Sequence, residues 1–294
     1  MCYRCPRSTN ASAVNCVTDY SSADGSRVED IHFKRMPMYT INKHLGSGGF
    51  GSVYSGTRKG DNFPVAIKII SKNKVIAWGQ LNGQIVPMEI CLLEHVNNCP
   101  GVINILDWFE LNKSFAVVME RQEHVQDLFD YITEKGALDE ESSKKFFRQI
   151  VDTVINIHRM GVVHRDIKDE NILVDLKTDE LKLIDFGSGA FLKDTVYLEF
   201  SGTRVCSPPE WIKFHMYHGH SAAVWSLGIL LFNLLSGDIP FKLDADILAG
   251  KLTYTRDLSN EVKDLVEKCL AICPSDRPTL EEILAHPWLA CSHL

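Results

Sequence analysis

The chain has 294 residues, 45% of them hydrophobic and 23% charged, and a formal net charge of −7 at pH 7. It is long enough for one large domain or two lobes around a sizeable core. Its acidic balance argues against a general nucleic-acid binder and suits basic partners.

The N-terminus has no continuous apolar segment of the signal-peptide kind. The 9 scattered cysteines, an odd number, read as reduced thiols of a cytoplasmic or nuclear protein. Cys2 and Cys5 have the spacing of half a zinc site, but no second Cys/His pair lies nearby.

In chain order, residues 1–36 are polar, lack apolar periodicity and are expected to be a disordered leader. From Tyr39 the pattern changes to short strand-like runs: Tyr39 to Leu45, Ser52 to Thr57, Pro64 to Ile70, Ile105 to Glu110 and Phe115 to Glu120. Their alternation and Gly/Asn/Asp punctuation predict an antiparallel sheet. One helix, about Val86 to Val96, interrupts them, with Met88, Cys91, Leu92 and His95 on one face. Beyond Gln122 the chain reads as mostly helical. Asp139 is a plausible cap for a helix running to Met160, whose apolar positions Phe146, Phe147, Ile150, Val151, Val154 and Ile157 follow a period near 3.6. Ala222 to Leu235 is too short and, at Trp225, Ser226 and Asn233, too polar to span a bilayer, and reads as a helix buried on all sides. It belongs to a helix at about 221–236. Further helices are expected at about 259–271 and 279–285. The expected organisation is α+β, with a sheet-rich lobe at 39–120, a hinge at 120–125, a helical lobe at 126–289 and a tail at 290–294.

Several segments carry chemistry. Leu45-Gly46-Ser47-Gly48-Gly49-Phe50-Gly51-Ser52-Val53 contains G-x-G-x-x-G. A dinucleotide site would lead from these glycines into a helix. Here they lead into the alternating run Ser52 to Gly56, which fits a strand-turn-strand flap laid over nucleotide phosphates, with a plain hairpin as the competing reading. Lys68, in Val65-Ala66-Ile67-Lys68, is placed to reach the α- and β-phosphates, with Glu89 preferred over Glu94 as the anion that orients it. In His164-Arg165-Asp166-Ile167-Lys168-Asp169-Glu170-Asn171, Asp166 is the candidate base for a substrate hydroxyl, Lys168 a neutraliser of γ-phosphate charge and His164 a packed structural residue. Asn171 and Asp185, of Asp185-Phe186-Gly187, offer the oxygen ligands magnesium prefers. Downstream, Pro208-Pro209-Glu210 stands where kinases carry A-P-E. Glu210 is a candidate ion-pair partner of Arg277, and Thr203 a candidate hydrogen-bond partner of Asp166 and Lys168 at the floor for the acceptor.

Together LGSGGFGSVY, VQDLFDY, HRDIKDENIL, LKLIDFGSG and SAAVWSLGIL resemble the Pim family of serine/threonine kinases over residues 39 to 289. Ala223, where most kinases carry aspartate, follows the Pim pattern. The resemblance implies a two-lobed protein-kinase fold using ATP and Mg²⁺, active without activation-loop phosphorylation and selecting substrates with upstream arginine. ATP would be bound by the glycine flap, Val53, Ala66, Lys68, Glu120, Gln122 and Asp127. The acids Asp127, Asp130, Glu170 and Asp238 are candidate guanidinium partners.

Two departures stand out. The hinge Glu120-Arg121-Gln122-Glu123-His124 has Gln122 where Pim kinases typically have proline, which restores an N–H donor. Asn233 stands where the acidic surface tends to carry aspartate, predicting weaker selection for the most distant upstream arginine. Thr195, Tyr197 and Ser201 are activation-loop candidates for phosphorylation, with Arg165 as a phosphate partner. The rival readings are a nucleotide-binding pseudokinase or scaffold, against which the complete set Lys68, Asp166, Asn171 and Asp185 argues, and a small-molecule phosphotransferase. A monomer without nucleic-acid or membrane partners is expected.

Overall fold

The computed structural model describes residue 36, residues 38–49 and residues 51–290. Of the segments expected from sequence, 1–35 (with Cys2 and Cys5), Phe50 and 291–294 lie outside the described residues.

β1 (Tyr39–Gly48), β2 (Gly51–Arg58) and β3 (Pro64–Ser71) follow one another, β1 and β2 closing a hairpin at the Gly48↔Gly51 pair. β4 (Trp78–Leu81) and β5 (Gln84–Pro87) form a separate hairpin that leads into α1 (Met88–His95). β6 (Ile105–Glu110) and β7 (Ser114–Glu120) complete a five-stranded antiparallel sheet in the order β1-β2-β3-β7-β6. Period-2 alternation in β3 decides which side each residue serves. Val65, Ile67 and Ile69 pack with Met36, Tyr39, Leu111 and Val118 on one face, whereas Ala66 and Ile70 belong to the larger core on the other, the face that Lys68 shares.

The second lobe begins with β8 (Val125–Asp127) and α2 (Leu128–Lys135), followed by α3 (Glu140–Arg159) and β9 (Val162–Val163). β10 (Ile172–Asp175) and β11 (Leu181–Leu183) make a three-stranded sheet with β8, and β12 (Ala190–Phe191) pairs with β9. Then come α4 (Pro209–Phe214), α5 (Gly219–Ser236), α6 (Asp244–Ala249), α7 (Asn260–Cys269), α8 (Leu280–Ala285) and α9 (Pro287–Ala290). Asp139, Ser259 and Thr279 cap α3, α7 and α8, each side-chain oxygen accepting an N–H from the first turn. α5 is long and apolar enough to cross a membrane by length and composition alone, but 72% of it is buried inside the protein. It is the axle of the helical lobe, with Trp225, Leu227, Leu231, Leu234 and Leu235 fully enclosed.

Four short helices (α2, α4, α6, α9) and the β4–β5 hairpin were not expected. One or two turns are too short to show a period, but the hairpin had a signal: Asn82-Gly83, both at positive φ (49° and 82°), is the favoured two-residue turn. The single apolar face expected for α1 is also corrected. Glu89, Ile90, Cys91, Leu92 and Leu93 are all buried while His95 is exposed, because the helix is enclosed on several sides.

Candidate active site

Lys68 is no snorkelling surface residue. Its ammonium lies 2.6 Å from Glu89 Oε1 and 2.9 Å from Asp185 Oδ1, with only 5% of the residue exposed. Burial alone would push its pKa down, and the two carboxylates more than restore it, so the lysine stays charged. Glu89, in the first turn of α1, is the orienting anion; Glu94 takes no part. Burial raises the Asp185 carboxyl, but Lys68 and the Gly187 N–H outweigh it and hold the group below its ordinary range. Asp185 stands in the left-handed region (φ 61°), which turns the chain sharply after β11.

The flap is built as expected. A Cβ on Gly51 would sit 2.1 Å from Ile69 O, so strand packing requires that glycine, whereas Gly46, Gly48 and Gly49 have nothing within 4 Å. The tip therefore has free space around it. Ser47 and Ser52 hydroxyls pair across it at 2.9 Å, and Leu45 is exposed.

The loop after β9 brings the second set together. His164 is fully buried: Nδ1 accepts the Asp166 N–H (3.3 Å), leaving Nε2–H to donate to Ile184 O (2.9 Å). Burial holds the ring neutral, in keeping with a structural role. Asp166 Oδ1 accepts the Thr203 N–H at 2.8 Å and Oδ2 the Asn171 Nδ2–H at 3.0 Å. The Asn171 amide also donates to Asp166 O (2.8 Å), so both N–H bonds are committed and its oxygen is left for other work. Asp185 likewise gives Oδ1 to Lys68 and Gly187, leaving Oδ2. Two oxygens of this kind fit a hard divalent ion that completes its shell with phosphate and water. Among the described residues no group of three or more His, Cys, Asp or Glu side chains is arranged to hold a metal by itself.

Several expectations are corrected here. Thr203 meets Asp166 through its backbone N–H, because it precedes the 3₁₀ turn Arg204–Cys206 in extended conformation; Lys168 instead pairs with Glu170 and lies 3.9 Å from Asp166. Glu170 is thus engaged, though half-exposed. Asp127 caps α2 by accepting the Asp130 N–H (2.7 Å), while burial, then the Asp130 and Glu170 charges, raise its carboxyl against that bond. Asp130 is exposed, and Asp238 pairs at 2.6 Å with Lys242 on the surface. Asn233 is not on an acidic surface: it is 5% exposed and donates to Asp169 Oδ2 at 2.6 Å. Arg165 is already engaged without a phosphate: Nε donates to Ser188 O (2.6 Å), Nη2 to Gly189 O (3.1 Å), and its guanidinium covers the Tyr197 ring at 5.4 Å. Tyr197 is buried against Tyr217, with its hydroxyl on Phe191 O. A Cβ on Gly202 would come within 2.4 Å of Arg165 O, so glycine is required where the two loops touch.

In the hinge, the Glu120 carboxylate turns away from the cleft to Lys182 and the Asn104 N–H (3.0 Å). Gln122 is half-buried, and its N–H meets no backbone acceptor among the described residues. The Glu120–Lys182, Asp169–Asn233 and Glu210–Arg277 pairs join residues 62 to 67 apart. Only the last was readable from sequence, through its flanking motifs.

The family model of the protein kinase domain matches residues 39–289. Serine/threonine-protein kinase pim-2 of Danio rerio is 50% identical over 268 residues, covering 88% of this chain and 86% of that protein. Serine/threonine-protein kinase prk-2 of Caenorhabditis elegans is 46% identical over 255 residues, 85% of this chain and 58% of the relative. The mouse PAS domain-containing serine/threonine-protein kinase is 36% identical over 256 residues, 85% of this chain but 18% of the relative.

Proposed function

From the chain's membership of the protein kinase family, and within it of the Pim serine/threonine kinases, we propose how this cleft performs ATP-dependent phosphorylation and on which substrates. Lys68, held by Glu89, contacts the α- and β-phosphates. Asn171 and Asp185 would hold Mg²⁺ through the oxygens their other bonds leave open. Asp166, fixed by Asn171 and the Thr203 N–H, accepts the proton of a serine or threonine hydroxyl as Lys168 meets the γ-phosphate. The magnesium, when bound, neutralises charge on the transferring phosphate. The glycine flap covers the phosphates, Val53 and Ala66 line the adenine side, and the Glu120 carbonyl and Gln122 N–H meet the base. The convergence of Lys68, Glu89 and Asp185 in one buried cluster beside the Asp166–Asn171 pair carries this reading.

Substrates are basic. Asp127, Asp130 and Glu170 surround the start of α2 and the catalytic loop, and Asp238 joins them by exchanging its Lys242 partner for a substrate guanidinium. Guanidinium groups pair with such carboxylates through charge-assisted bonds. Asn233 acts on a distant upstream arginine through the Asp169 carboxylate it holds rather than by direct contact. Activation-segment phosphorylation is unnecessary, because Arg165, Tyr197 and Tyr217 tether that segment through carbonyl and ring contacts. The protein works as a monomer in the cytoplasm or nucleus.

The test is phosphate transfer from radiolabelled Mg-ATP to peptides with and without upstream arginines, using phosphatase-treated enzyme. Full turnover on the arginine peptides, and its loss in Asp166→Asn with ATP binding retained, supports the proposal. Normal turnover in Asp166→Asn removes the mechanism; equal use of neutral peptides removes the substrate class.

A further inference from the structure

A pocket of ≈ 420 Å³ lies between the C-terminal end of α3, the first turn of α5 and the start of α8. His158, His220, Arg159 and Glu281 line it over an apolar floor of Ile155 and Val224. His158 is the unexplained group. It is 8% exposed, and neither of its ring nitrogens has a hydrogen-bond partner. Buried polar atoms almost always find one, so such an orphan calls for a reason. An imidazole nitrogen without a protein partner is the kind of donor that coordinates metal.

The second observation is geometric. The His158 and His220 rings lie edge to face, with centroids 4.9 Å apart and planes at 83°. Two imidazoles bound to one tetrahedral ion at Zn–N distances of about 2.0–2.1 Å have centroids roughly 5 Å apart. The ring spacing therefore matches that of two imidazoles on one ion, and turning the rings to aim a nitrogen of each at a common point is the rearrangement binding requires.

We propose that His158 and His220 form a two-histidine site for a divalent transition ion of the zinc type. The ion fills its remaining positions with water, and the Glu281 carboxylate, which faces Arg159, contributes only its charge to the pocket lining. Two imidazoles alone make an exchangeable site, in keeping with the lack of a complete cluster of three or more metal-binding side chains among the described residues. The cations nearby are accounted for: Arg277 is neutralised by Glu210, and Arg159 lies 3.7 Å from Glu281. A bound ion would clip the end of α3 to the start of α5. The first leads through β9 into the Asp166 loop, and the second follows Tyr217, which bridges to Tyr197 of the activation segment.

The experiment is calorimetric titration of the full, tag-free chain with Zn²⁺ in the absence of nucleotide, paralleled by Co²⁺ absorption spectra. The expected result is a saturable site with nitrogen- and oxygen-type cobalt bands. His220→Gln, on an exposed residue, should weaken that site by more than the roughly 10–100-fold that an outer-shell loss costs. His158→Gln should do the same, Glu281→Gln should cost less, and Arg159→Ala should tighten binding. Asp185→Asn and His218→Gln should leave the site unchanged, separating it from the catalytic cleft and from the neighbouring histidine. Absence of binding, thiolate-type cobalt spectra, or undiminished affinity in His220→Gln would overturn the proposal and leave the two rings as a packing contact.

Discussion

The Arg277–Glu210 pair gives the sharpest test of how the helical lobe is held. Arg277 donates to Glu210 Oε1 and Oε2 at 2.8 and 2.6 Å, to Ala271 O and Ser221 O at 2.9 Å each, and to Ile272 O at 3.5 Å. Its guanidinium also lies 5.0 Å from the Trp225 ring centre, and its side chain is 0% exposed. Those bonds account for all five N–H donors, so nothing inside the lobe can substitute for the carboxylate. Glu210→Ala leaves that charge buried and unpaired, which costs about 3–5 kcal/mol. At about 2–4 °C per kcal/mol, the melting temperature should fall by roughly 6–20 °C, nearer the lower end for a chain of this length. Arg277→Met should destabilise similarly. The double variant should lose clearly less than the two singles added together, because neither charge is then left alone. Thermal unfolding followed by circular dichroism measures all three. Additive losses, or a Glu210→Ala shift below about 2 °C, would refute the argument that the penalty comes from an orphaned charge.

Other outcomes follow from the same contacts. Lys68→Met should lower kcat by at least about 10²-fold in steady-state peptide assays while the fold persists, since it removes a preformed electrostatic contact to phosphate. Gln122→Pro removes one hinge donor, which should raise the KM for ATP by roughly 2–10-fold; an unchanged value would show that the base does not use that N–H. For His158, the folded imidazole titrates at about 4 against 6.5 for the free side chain, so between those values the unfolded chain binds more protons. Stability should therefore be intact above pH 6.5 and fall toward pH 4 by roughly 3 kcal/mol from this residue. His158→Phe should flatten that part of a urea-denaturation pH series.

Much of the fold was legible because its longer elements declare themselves locally. The sheet strands are short runs set off by Gly, Asn and Asp, with β7 an almost unbroken buried run, α3 has both a cap and a sustained period, and α5 is apolar along most of its length, as a buried axle must be. The short helices are hidden because they are set by what they dock against. At the site, the glycine flap, Lys68, Asp166, Asn171 and Asp185 were readable as residue types at fixed spacing, and Glu89 as an acid at the start of a helix. The partners of Arg165, Asn233 and Glu120 were not. Each depends on a chain reversal that brings distant segments together, and no local pattern distinguishes a side chain that reaches substrate from one that braces its neighbour.

The Glu120–Lys182 contact has a wider meaning for how the two lobes move. It ties the last residue of β7, in the upper lobe, to β11 in the lower one, just beside the connecting chain. Any swing of one lobe against the other must pivot around this clasp or break it. Bending is then concentrated in Arg121 to His124, where Glu123 and His124 are exposed and no regular element stiffens the chain. The cleft should breathe like a jaw with a fixed pin, opening at the glycine tip while the floor beneath the adenine keeps its width.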